Sequence, residues 1–178
     1  MTIKPVILFG YGNPSRGDDA LGPKLLDYVE QHCNHDYVEL LCDFQLQIEH
    51  ALDIKNRSLV LFIDASVADI DAYNFIKLQA SRDISYSTHA MSPSAILNVY
   101  QTIIKQTPPP CFLLTIKAQK IALGEDLSIQ AQLNLEQACL FTKHLLENAT
   151  LKYWLSQLNN SQGQTLKPFC LTYTPLLT

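Results

Sequence analysis

Positive charge is scarce in this chain: Lys and Arg total 13 of 178 residues, against 17 Asp and Glu, and no basic run occurs. The formal net charge is −4. Nucleic acids and anionic membranes select for basic surfaces, so neither is an expected partner. No apolar run approaches the roughly 20 residues of a membrane span. Lys4 and Pro5 lead into a short apolar run that ends in a turn, which is not the pattern of a signal peptide. Cysteine is sparse and unpatterned. The five thiols, Cys33, Cys42, Cys111, Cys139 and Cys170, are odd in number and lack CxxC spacing. That argues against a zinc knuckle or a disulfide frame, and predicts reduced thiols in a cytoplasmic protein. HExxH spacing is also missing, which removes the usual basis for a self-contained zinc hydrolase.

What is present is apolar, at 47% of the sequence, enough for one domain with a sizeable core. Strand candidates fall at 5–11, 37–42, 58–63, 73–79 and 111–117, and helical patterns lie between them. Leu21, Leu25, Leu26 and Val29 share one helix face, with Pro23 tolerable in the first turn. A short helix is expected around 46–55. Ser92-Pro93 opens another, striped by Ile96, Leu97, Tyr100, Ile103 and Ile104, and a last long helix follows Ser128. Such alternation predicts an α/β fold, a largely parallel sheet with helices on both faces. Residues 1–149 are assigned to this domain. Residues 150–178 are set apart as a C-terminal extension without assigned secondary structure, from which Trp154, Phe169 and Tyr173 are available to pack back as an arm.

The chemistry is expected beyond the carboxyl ends of the strands, where open α/β sheets place their sites. Val6-Ile7-Leu8-Phe9 runs into Gly10-Tyr11-Gly12-Asn13-Pro14-Ser15-Arg16-Gly17-Asp18-Asp19. A phosphate-binding loop offers bare amides to an anion, and two carboxylates at the helix start would compete for those amides. The loop therefore suits a positive group. One of Asp18 and Asp19 is expected to cap the helix, which leaves the other to be explained. Asp64 ends the third strand, and His89 lies in Ser87-Thr88-His89 ahead of a helix. Two carboxylates and an imidazole suit a divalent, borderline metal with positions left open for substrate. His32, His35, His50 and His144 fall in or beside helical patterns and are expected on the solvated surface.

Taken together, Gly10-x-Gly12-Asn13, Asp18-Asp19, Asp64-Ala65 and Ser-Thr-His89 resemble the hydrogenase maturation endopeptidases, which trim the large subunit of nickel–iron hydrogenases. Gln45-Leu46-x-x-Glu49-x-Ala51 is similar to the Gln-Leu-x-Pro-Glu-Leu-Ala block of one branch, and Leu114-Thr115-Ile116 with Gly124-Glu125-Asp126-Leu127-Ser128 to its Leu-Thr-Val…Gly-Glu-x-Leu-Ser block. The resemblance spans about residues 5–148. It implies a three-layer fold around a twisted sheet of about five strands. It also implies removal of a C-terminal peptide from a large-subunit precursor, with nickel carried by that precursor and no nucleotide. On the matching positions, Asp19, Asp64 and His89 would contact the metal. Gly10, Gly12, Asn13 and Asp18 would shape the loop, and Gln45 and Glu49 would face substrate. Ile48 replaces the branch's proline, and Cys42-Asp43-Phe44 its histidine-containing lead-in.

Other classes compete for the same residues. A dinucleotide-binding module would open on Gly10-x-Gly12 and use Asp43 as its ribose acid, but Ser15 occupies the third glycine position and Pro14 removes an amide donor. A relative that holds nickel or precursor without cutting would carry the same three side chains. In a purely structural domain the acids would be caps.

Overall fold

The computed structural model describes residues 3–81 and 91–158. Five strands form one sheet: β1 (Val6–Tyr11), β2 (Val38–Asp43), β3 (Leu59–Ser66), β4 (Tyr73–Lys77) and β5 (Cys111–Lys117). They lie in the order β2-β1-β3-β5-β4. Four are parallel, as apolar runs covered on both faces require. The edge strand β4 returns antiparallel to β5. Among the described residues five α-helices complete the fold: α1 (Leu21–His32), α2 (His50–Asp53), α3 (Pro93–Ile104), α4 (Ile129–Glu147) and α5 (Leu151–Gln157). Ser92 and Ser128 cap α3 and α4 through side-chain oxygens, the start signals seen in the sequence.

Alternation along each strand divides the core in two. Val6 and Leu8, Leu59, Leu61 and Ile63, and Phe112, Leu114 and Ile116 pack under α1 and α4. Ile7, Phe9 and Tyr11, with Val60 and Phe62, meet Ile96, Leu97 and Tyr100 of α3 on the other face. The result is three layers, helix, sheet and helix. Trp154, in α5, is fully buried in the first of these clusters. Its indole ring lies edge-on to Phe75 and Phe112, and its Nε1 donates to the carbonyl of Leu145 at 3.0 Å.

Strand order fixes where a site can form. From β1 the chain crosses to β2 on one side, then returns past β1 to β3 on the other. The carboxyl ends of β1 and β3 are therefore the point at which the connections diverge and leave a crevice. Gly10 and Gly22 bring α1 down onto β1 beside that point. A Cβ on Gly10 would stand 2.6 Å from the Gly22 carbonyl, and one on Gly22 2.6 Å from that of Tyr11.

Candidate active site

The loop leaving β1 is tied up by its own hydrogen bonds. The Gly12 amide donates to the Asp43 carbonyl, that of Arg16 to Asn13, that of Gly17 to Glu125, that of Asp18 to Lys120 and that of Asp19 to Arg16. The Ser15 amide donates to Asn13 Oδ1, and the Asn13 amide to Asp19 Oδ2, each at 2.9 Å. Pro14 has no amide to give. Each backbone amide from Gly12 to Asp19 is thus spent, one of them on a carboxylate. Gly12 permits the return of the chain: its φ is +137°, and a Cβ there would fall 2.0 Å from the Asp19 carbonyl oxygen.

Neither aspartate caps α1, contrary to expectation. Both belong to a 3-10 turn, Gly17–Ala20, and the N-cap of α1 is Ala20, which makes no side-chain bond. Asp18 is instead fully buried and reaches across the fold. Its Oδ2 accepts from the Gln119 amide at 2.7 Å, the Lys120 amide at 2.9 Å and the Ser128 hydroxyl at 2.9 Å. Its Oδ1 accepts from the Ser128 amide at 2.7 Å. Burial raises the pKa of such a group, and the donors from Ser128, Lys120 and Gln119 outweigh it, so the carboxyl titrates below its ordinary value. Asp18 thus shapes the loop by anchoring it to the segment between β5 and α4, and Asp19 is left to face the crevice. It is partly exposed, and among the described residues only its Oδ2 is bonded.

Asp64 lies in β3, opposite Thr115 of β5, rather than at a helix start. Burial is the main reason its carboxyl is pushed up to about 6. The neighbouring Tyr11 phenol and the Ala65 amide pull it down, and the charge of Asp19 adds to the rise. The structure therefore brings two of the three expected metal contacts, Asp19 and Asp64, to the crevice where β1 and β3 end. His89 lies in 82–90, outside the described residues. Among the described residues, no three His, Cys, Asp or Glu side chains converge to hold a metal.

Gln45 and Glu49 are both exposed, on the segment between β2 and α2. That segment is pinned by Leu46, whose side chain is buried and whose carbonyl accepts from the Met91 amide at 3.3 Å. The chain just past His89 is thereby held against the Gln45–Glu49 segment. His50 departs from expectation. It is buried, not solvated, because its ring packs edge-on against Phe9 and both nitrogens are engaged. Nδ1 accepts from the Gln47 amide at 2.9 Å, and Nε2 faces Asp43 Oδ2 at 3.5 Å. Asp43, the ribose acid of a nucleotide module, is thus occupied by a histidine. Two contributors were invisible as such in the sequence. Gly22 follows no turn signal, and the burial of His50 depends on Phe9, which is distant in sequence.

The architecture is that of an α/β protein with paired acids at the switch point of a five-stranded sheet. Among solved structures it is similar to the hydrogenase maturating endopeptidase HybD from E. coli, with 20% identity and a TM-score of 0.64 over 81% of this chain and 93% of that one. It is similar also to the NiFe hydrogenase maturation protease HycI from Thermococcus kodakarensis, with 21% identity and a TM-score of 0.64 over 82% and 94%. A hydrogenase 2 maturation peptidase from a Thaumarchaeota archaeon aligns with 21% identity and a TM-score of 0.60 over 81% and 99%. No protein-family model matches the chain, and no curated protein does. The fold expected from the sequence resemblance is the fold found. Among the described residues no helix is long and apolar enough to cross a membrane.

Proposed function

We propose that this protein is a hydrogenase maturation endopeptidase, which removes a C-terminal peptide from a nickel-loaded large-subunit precursor of a nickel–iron hydrogenase in the cytoplasm. One observation carries the reading: Asp19 and Asp64 adjoin at the sheet's switch point, in a loop whose amides are already spent. Such a site repels phosphate and attracts a cation, which disfavours the dinucleotide alternative.

The metal belongs to the substrate and supplies Lewis acidity at the bond to be cut. Asp19 and Asp64, completed by His89, would grip it transiently, since hard carboxylate oxygens suit a releasable contact with nickel. The Asn13 amide holds Asp19 Oδ2 in place, and Asp18 fixes the loop behind it. Gln45 and Glu49, exposed on the segment that follows β2, would meet the precursor's flanking chain.

The test is incubation with nickel-loaded and nickel-free precursor, followed by mass analysis. Loss of a C-terminal peptide only from the nickel-loaded form is expected, and Asp19→Asn or His89→Ala should abolish it in a folded protein. Saturable binding without cleavage would instead assign a non-catalytic holder of precursor. Normal processing by these variants would overturn the site.

A further inference from the structure

One polar group at the centre of this site has no role in the chemistry above. Tyr11 is the last residue of β1, and it follows Gly10, which pairs in register with Ile63; Tyr11 thus stands beside Asp64. Ile7, Phe9 and Tyr11 share the face occupied by Val60 and Phe62, and strand alternation puts Asp64 on that same face. A tyrosine in apolar company ordinarily finds a partner for its hydroxyl, because an O–H taken out of water unpaired is costly. Here the side chain is nine-tenths buried, and its hydroxyl, shut off from solvent, has no full hydrogen bond among the described residues. Asp64 is the group it approaches: the two side chains interact through charge and a hydrogen-bonding contact that falls short of full hydrogen-bond geometry. A phenol ordinarily titrates at about 10, so the group is a proton donor throughout the working range.

We propose that Tyr11 is the positioning residue for Asp64: its phenol is a donor held in reserve, and it fixes the carboxylate when Asp64 engages the metal ion of the substrate. A carboxylate that places one oxygen on a metal leaves the other to be oriented, and a buried phenol on the adjacent strand is fixed in direction by its packing. Donors of this kind, acting through a ligand, are typically worth 10–100-fold in affinity or activity. The inference rests on reading Asp64 as a metal contact.

Tyr11→Phe removes only the oxygen. On nickel-loaded precursor, kcat should fall about 10–100-fold with KM within twofold of wild type. Affinity for cobalt(II) alone, followed by its absorption spectrum, should fall by a similar factor. The melting temperature should hold or rise, because the orphaned hydroxyl is gone. Wild-type kcat and cobalt affinity in the variant would overturn the proposal. So would a lower melting temperature, which would give the hydroxyl to the fold. A wild-type protein that binds cobalt but cuts nothing would overturn the protease reading alone, leaving cobalt affinity to judge Tyr11. If it does neither, both fall.

Discussion

Replacing Asp18 by asparagine exchanges one oxygen for an NH2 group and separates the loop's anchor from its reactive neighbour. With the amide oxygen at the Oδ2 position, the bonds from Gln119, Lys120 and the Ser128 hydroxyl survive without charge assistance. The new NH2 then confronts the Ser128 amide, 2.7 Å away, so a donor faces a donor. Losing one bond to a charged acceptor and orphaning a buried amide costs about 3–5 kcal/mol, from which relief of the buried charge subtracts part, for a net of about 2–4 kcal/mol. Against a total of about 5–15 kcal/mol that is a large fraction. Asp19→Asn, at a partly exposed side chain with one bond, should cost under about 1 kcal/mol. Urea unfolding of both variants at pH 7 measures the contrast. Acid sharpens it. The folded pKa of Asp18 lies below its unfolded value, so its contribution is complete above the ordinary carboxylate range and disappears as pH falls through the folded value. Wild type and Asp18→Asn should therefore begin to draw together below about pH 4 and meet only below the folded value. A loss under about 1 kcal/mol at pH 7, or parallel curves into acid, would refute the anchoring argument.

Two further expectations have opposite signs. The folded pKa of Asp64 is about 6, raised mainly by burial, so its ionisation opposes folding: the penalty is absent below about pH 4 and complete above about pH 7. Asp64→Asn should accordingly stabilise the protein by about 1–3 kcal/mol at pH 8 and by nothing at pH 4 in urea titrations, while processing is lost. Destabilisation at pH 8 would contradict this. Trp154→Ala should cost about 3–5 kcal/mol, by thermal unfolding, because the indole is fully buried against Phe75 and Phe112 and donates to Leu145.

Much of this architecture is legible in the sequence because buried parallel strands are continuous apolar runs, and β1, β3 and β5 are nearly unbroken ones. The direction of β4 is not, since pairing partners leave no local trace, and an edge strand can run either way. Candidate acids stand out by position, at the ends of apolar runs. Their division of labour does not, because the partners of Asp18 lie 101–110 residues away. His50 looked like a surface residue since its helix is a single turn, too short for periodicity to show which side is covered. For α5 a signal existed: Thr150 precedes Leu151, Trp154, Leu155 and Leu158 at helical spacing, and Thr150 Oγ1 accepts from the Tyr153 amide.

The place of Trp154 bears on how the chain is made. Phe75 and Phe112 emerge from the ribosome early, and the side chain that completes their cluster arrives only after α4 has been synthesised. Until then, the face of the sheet that α5 seals is open to the other proteins of the cell. Between the emergence of β5 and that of α5, the aromatic cluster of Phe75 and Phe112 therefore lacks the indole that completes it, and such transiently open apolar surface is what favours association.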